Sequence, residues 1–447
     1  MSTTIYPPGP QGAEFARNLA RFVGNPIGVL TDVADRYGDI VHFARKPFDT
    51  VFVNHPDYIE RILVTDSWNF TPIRVMTLER ALGKGIFIST GELHRRHRTA
   101  LDPIWEDPRV SVFADTVVQA TARLSDQLSD AMVVDVERMM ARLVIEIMSE
   151  IMFGEEARSD PVEFVRAAVF INDYLATRST FPVAFVPELL PILPSNRRFW
   201  SQMKIFDQYL YQRIVERRGE GEDRGDMLSM ILRLLDREGE PSPTDQQIRD
   251  EVVSIYTGAT SAMLRAMTWV WWPLSEYPES ERALHDEIQS TLGDRSPEPG
   301  DLAALPTARR VMMESMRLYP PAWLFGREAQ QAYELDGYYL PPGTGFVMCP
   351  YLMHRDPRYY DEPEVFAPDR WADEQANRDR PNFAYFPFGG GDRSCFGEPF
   401  AWMAMPLILV TLAQRWKFRL MPDHPVEPDP KFTLRPKHGM RMRLERR

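Results

Sequence analysis

Apolar side chains recur at helical spacing through the middle of the chain, over residues 117–153, 160–176, 198–217 and 226–236, with polar faces between them. The stretch 244–277 is longer. Thr244 followed three residues later by Gln247 has the form of a capping box. The run then turns apolar nearly all round (Val252, Val253, Ile255, Tyr256, Ala259, Ala262, Met263), the pattern of a helix through the centre of a domain. Pro273 removes a hydrogen bond near its end, which predicts a kink or an early stop. Strand signals are short: Ile40–Phe43, Thr50–Val53, Tyr338–Leu340, Gly345–Met348 and a tail within 432–444. They flank the helical mass on both sides. The pattern predicts a mainly α fold with small sheets, and pairing between the two ends would make residues 1–447 a single domain. Pro7, Pro8 and Pro10 predict an extended lead-in over residues 1–20, and 219–225 reads as a charged surface loop.

Composition narrows the function classes. With 64 acidic and 52 basic side chains the formal charge is -12, which argues against a general nucleic-acid binder. No apolar run approaches the ~18 to 20 residues a membrane span requires, and the first residues lack a basic and then apolar secretory pattern. Two cysteines in 447 residues exclude a disulfide framework, so a reducing, cytoplasmic setting is expected.

Cys395 stands in the most informative segment, Phe386-Pro-Phe-Gly-Gly-Gly-Asp-Arg-Ser-Cys-Phe-Gly397. Three consecutive glycines permit positive φ and a close backbone approach to something bulky. An apolar helical run over 399–412 follows, which places the sulfur just before a helix N-terminus, where amide groups and the dipole favour a thiolate. Phe388 can cover one side. This is the setting of an axial thiolate ligand to haem iron. Cys349 lies in an apolar strand pattern without basic neighbours and reads as a small core residue.

The segment from Phe388 to Gly397 resembles the haem-binding loop of the cytochrome P-450 superfamily. Other motifs follow in family order: Glu314-Ser-Met-Arg317 resembles its E-x-x-R, and Phe366-Ala-Pro-Asp-Arg370-Trp371 the element whose arginine joins that pair. His94 and Arg98, four apart on one helix face, resemble the family's propionate-binding pair; Arg327 matches a second propionate arginine and Arg393 adds a further donor. The resemblance spans nearly the whole chain. It implies a triangular helical prism with small β-sheets, a heme b cofactor ligated by Cys395, with Phe388 and Gly397 beside it, and structural support from Glu314, Arg317 and Arg370. By family position, Arg74, Val75, Met76, Ala259, Ala262, Met263, Ala322, Trp323, Phe325 and Phe432 line a hydrophobic substrate pocket. Electrons are expected from separate proteins, a ferredoxin and its reductase, since the chain ends shortly after the last sheet signal.

One departure bears on mechanism. The family's central helix carries an acid and an alcohol that deliver protons to bound oxygen. Aligned without gaps, Ser261 replaces the acid and Ala262 the alcohol; a one-residue slip would put Thr260 and Ser261 there instead. Neither register supplies a carboxylate, and losing such a relay costs about 10²–10⁴-fold in rate. Three readings follow: monooxygenation assisted by a substrate group, a peroxygenase, or non-hydroxylating oxidation such as cyclisation, desaturation or rearrangement. A haem-based sensor without turnover is the competing class.

Overall fold

The computed structural model describes residues 5–43, 49–73, 76–107, 110–154, 162–178, 194–221, 223–236 and 242–447. Its strands in chain order are β1 (Ile40–Phe43), β2 (Thr50–Val53), β3 (Phe70–Pro72), β4 (Val133–Asp135), β5 (Phe325–Ala329), β6 (Tyr333–Leu335), β7 (Tyr338–Leu340), β8 (Gly345–Met348), β9 (Trp416–Leu420), β10 (Pro428–Pro430), β11 (Leu434–Pro436) and β12 (Arg441–Arg446). The largest sheet has the order β1-β2-β8-β5-β3. Within it β2 runs parallel to β8, in the register Thr50↔Gly345 to Val53↔Met348, so strands from both ends of the chain share one sheet. A second sheet, β4-β12-β9, joins the middle of the chain to its C-terminal strand.

The central helix, Asp245–Trp269, starts as its sequence dictates. Gln247 N donates to Thr244 Oγ1 at 3.2 Å and Thr244 N donates to Gln247 Oε1 at 2.8 Å, closing the capping box. The helix stops at Trp269, and Pro273 falls in the first turn of the next helix, Trp271–Glu276, where its missing N–H has no partner to lose. The central helix packs along Val136–Phe153 and against Pro194–Glu220 and Glu398–Ala413. Its burial on nearly all sides explains the absence of a polar face.

Two expectations are corrected. The periodic stretch 117–153 is two helices, Val110–Asp126 and Val136–Phe153, with β4 between them. Apolar Val133 and Val134 satisfy a helical pattern as readily as a short strand, and only pairing with β12 decides. The lead-in ends early: Gly12–Phe22 is an amphipathic helix that buries Phe15 and pairs Glu14 with Arg36. No helix of the described residues is long and apolar enough to cross a membrane.

Candidate functional site: the cysteine loop and the central helix

The loop before helix Glu398–Ala413 is closed by its own backbone. Phe386 O accepts from Gly389 N at 3.0 Å, Gly391 O from Ser394 N at 2.9 Å and Phe388 O from Cys395 N at 2.9 Å. Gly389 and Gly391 have φ of 73° and 64°, in the left-handed region. The bulky neighbours that the glycines admit are protein: a Cβ on Gly390 would meet the Phe383 ring at 2.5 Å, and one on Gly391 the Leu63 carbonyl oxygen at 1.9 Å. Phe388 is half-buried and meets the Trp402 ring edge-on at 5.5 Å.

Cys395 is exposed although protein surrounds it closely enough to push its thiol pKa up. Burial is the largest cause; the Gly397 and Glu398 amides and the Arg98 charge pull the other way, while Glu398 reinforces the rise. The Gly397 and Glu398 amides thus favour the thiolate, as the sequence predicts, while desolvation opposes it. Cys349 is fully buried, donates to Trp323 O at 3.2 Å, and its thiol is pushed up to about 12 by burial.

Beneath the loop lies a buried ionic network. Glu314 and Arg317 are both 0% exposed. Glu314 accepts from Arg317, Arg370, the Trp371 indole and the Ala367 amide, each at 2.9 Å. Arg317 continues to the carbonyls of His354, Pro363 and Val365. Every polar atom of the pair is thus engaged, the condition under which buried charge is tolerated. The His354 ring extends the network, because its Nε2 accepts from Phe386 N at 3.0 Å. Sequence reasoning misses this residue, since a single histidine carries no spacing signal.

Four basic residues from three separate segments converge near the loop. Helix Gly91–Leu101 contributes His94 and Arg98, β5 contributes Arg327, and the loop itself Arg393. Arg98 donates to Ser394 O at 2.9 Å and pairs with Asp102; Arg393 donates to Ser89 O. Arg327 and Arg393 are each pushed down to about 10, by burial first and then by a neighbouring guanidinium. His94 is pushed down to about 3 by burial and by the charges of Arg393 and Arg98. Mutual repulsion among buried cations marks a place short of negative charge.

The central helix is accessible at one place. Its flanks are buried, yet Gly258, Ala259 and Ser261 are half-buried and Ala262 is exposed. Thr260, by contrast, is buried and donates back to Tyr256 O at 2.8 Å within its own helix. The acids upstream are engaged elsewhere: Asp250 accepts from Lys84 N at 2.8 Å and Glu251 from Ile86 N at 2.9 Å, with His97 Nδ1 2.6 Å from Glu251. Ten residues separate Glu251 from Ser261, about 15 Å of helix.

The expected pocket residues divide. Ala259 and Phe432 are half-buried against the main core, Phe432 facing exposed Phe87 at 6.3 Å, and Met263 is buried beside them. Phe325 lies against Phe386 and Gly389 at the edge of the cysteine loop. Trp323 lies in another cluster. It packs in a separate core with Leu30, Val33, Val41, Phe52 and Cys349, and its indole donates to Lys431 O at 2.6 Å. Ala322 beside it is half-buried. Arg74 and Val75 lie outside the described residues, and Met76 is the first residue of helix Met76–Leu82.

A helical body with small mixed sheets around a cysteine loop and a buried Glu–Arg–Arg network defines a haem-thiolate oxidoreductase fold. The cytochrome P-450 family profile matches residues 7–442, and the chain belongs to that family. It is 30% identical to cyclooctatin synthase of Streptomyces melanosporofaciens, with 95% of this chain and 92% of that protein covered. It is 29% identical to cyclooctat-9-en-7-ol 5-monooxygenase of the same organism (86% and 84% covered) and 25% identical to pentalenene oxygenase of Streptomyces avermitilis (92% and 91% covered). Among solved structures, a retinoic acid-bound cyanobacterial cytochrome P-450 superposes with a TM-score of 0.89 at 19% identity, covering all of both chains. The protein is a cytochrome P-450 oxidoreductase, and the family's cofactor is a haem held by a cysteine thiolate. The donor set fits that group: an exposed sulfur, and an under-compensated cation cluster suited to carboxylates.

Proposed function

We propose that this enzyme is a biosynthetic monooxygenase acting on a largely apolar, terpenoid small molecule, with Cys395 as the iron ligand of heme b. Its relatives are named for oxidising an alkenol and an alkene, and the half-open wall of Gly258, Ala259, Ala262 and Phe432 presents little but carbon to a substrate. In this reading His94, Arg98, Arg327 and Arg393 bind and orient the haem carboxylates, and Arg's planar fork suits that contact. Glu314, Arg317 and Arg370 hold the loop, while Phe388, backed by Trp402, covers one side of it. When bound, the haem thiolate supplies reductive activation of oxygen for insertion into a C–H bond. Electrons are supplied by a separate ferredoxin and reductase.

The observation that carries the finer reading is the Ser261–Ala262 step on the accessible side of the central helix. Its Ala262 has no hydroxyl, Thr260 is turned away, and the nearest acid upstream on the helix is occupied by the loop at Ile86. Proton delivery then falls to a hydroxyl of the substrate, with Ser261 holding the water beside it. The test is turnover of a cyclic terpene alcohol and of its deoxy analogue with ferredoxin, reductase and NAD(P)H. The alcohol is expected to give hydroxylated product with tight coupling, and the analogue to release mainly peroxide. Equal coupling for both would overturn substrate assistance. Formation of a cyclised or desaturated product in place of an alcohol would favour the non-hydroxylating reading.

A further inference from the structure

The buried Glu314–Arg317 pair lies some seventy positions before the loop it is read as supporting, and among the described residues neither side chain bonds to that loop. We propose that His354 is the positioning residue that connects them, by fixing the backbone of Phe386 at the entry of the cysteine loop. The inference rests on the reading of Cys395 as the iron ligand and extends it.

His354 ends the short helix Pro350–Met353, its own amide donating to Pro350 O at 2.8 Å. Its carbonyl oxygen accepts from Arg317 Nη1 at 2.8 Å. Its ring is 0% exposed and sits between Tyr385, centroids 5.0 Å apart, and the edge of Phe386 at 5.5 Å. The ring nitrogen Nε2 accepts from Phe386 N at 3.0 Å. Because that partner is an amide N–H, Nε2 has to be unprotonated, and the proton of the neutral ring belongs on Nδ1, with the Met316 and Arg317 backbone as its neighbours. Burial and the charges of Arg317 and Arg355 hold the imidazole neutral, as this bond requires.

From Phe386 the loop follows by consecutive hydrogen bonds, Gly389 N to Phe386 O and Cys395 N to Phe388 O. Between these anchors Gly389 and Gly391 adopt left-handed conformations that carry little conformational preference of their own. The helix from Glu398 fixes the exit of the loop, and His354 fixes its entry. Tyr385 adds a second tie, donating its hydroxyl to Met313 O at 3.0 Å on the helix that carries Glu314. An unpaired N–H at buried Phe386 costs enough to favour another loop conformation.

The test uses the full chain with three variants. In His354→Gln the side-chain oxygen reaches the place of Nε2; in His354→Asn it reaches only that of Nδ1; His354→Leu keeps bulk without an acceptor. Hydrogen–deuterium exchange at the Phe386 amide is read in the haem-free protein. The absorption band of the reduced, carbon monoxide-bound form and the iron reduction potential are read in the holoenzyme. His354→Leu and His354→Asn are expected to speed Phe386 exchange about tenfold, to move part of the band to the shorter wavelength of a protonated or displaced thiolate, and to shift the potential. His354→Gln is expected to match the wild type. Should Leu not fold, the comparison of Gln with Asn decides alone, since both are polar amides. Indistinguishable exchange and spectra for Gln and Asn would overturn the proposal. A wild-type holoenzyme without the thiolate band would overturn the ligand reading instead, and the exchange comparison would still decide the hydrogen bond.

Discussion

Arg317 meets Glu314 through two hydrogen bonds of 2.9 Å, and neither side chain has any exposed surface. The pair forms because residues three apart share a helix face in Pro306–Leu318, and it survives burial because Arg370, Trp371 and four backbone groups satisfy the remaining donors and acceptors.

Replacing Glu314 by Gln leaves two arginines facing a neutral amide in a site closed to water. Removing one member of a buried pair costs about 3–5 kcal/mol. The expected outcome is a loss of that size in chemical denaturation. A loss under about 1 kcal/mol would place the pair among surface-like bridges.

The two cysteines should separate cleanly. Cys395→Ser is expected to abolish the red-shifted band of the reduced, carbon monoxide-bound protein. Cys349→Ala should leave it unchanged, because that thiol is enclosed in the core around Trp323 and pushed up to about 12. Persistence of the band in Cys395→Ser would end the ligand assignment.

Gly391→Ala combines two penalties: a φ of 64° and a Cβ placed 1.9 Å from the Leu63 carbonyl oxygen. A cost well above 1 kcal/mol is expected, read as a lowered midpoint of thermal unfolding together with reduced haem retention. Gly219, in helix Pro194–Glu220, has open space at its Cβ position and serves as the control. There Gly→Ala should stabilise by about 0.5–1 kcal/mol.

His285 gives a pH signature remote from the cysteine loop. Burial pushes its pKa down to about 4; Glu281 opposes this, and Arg447, Lys417 and Arg419 reinforce it. The folded form therefore resists protonation that the unfolded chain, near 6.5, accepts. This contribution to stability is complete above pH 6.5 and is lost as pH falls towards 4, with a slope of at most about 1.4 kcal/mol per pH unit. His285→Gln should flatten the stability profile in that window, measured by urea unfolding at a series of pH values. An unchanged profile would show that the ring is protonated in the fold.

The local pattern of the sequence is enough to specify the capped start and early stop of the central helix, the four short strands and the cysteine loop, because each depends on neighbouring residues: a capping pair, a proline, an alternation, three glycines. Sequence order also points to Glu314, Arg317 and Arg370 as one cluster, through resemblance to a family, and the three do meet. Tertiary structure decided the rest. It split 117–153 by pairing β4 with β12, a contact across some three hundred residues that no local period encodes. It turned Trp323 towards Lys431, and it gave Thr260 to its own helix while leaving Ser261 half-buried and Ala262 exposed. It also joined His354 to Phe386, 32 positions apart. The physical reason is the same in each case. A side chain's partner is chosen by which buried donors and acceptors remain unsatisfied once the elements have packed, and that choice exists only in three dimensions.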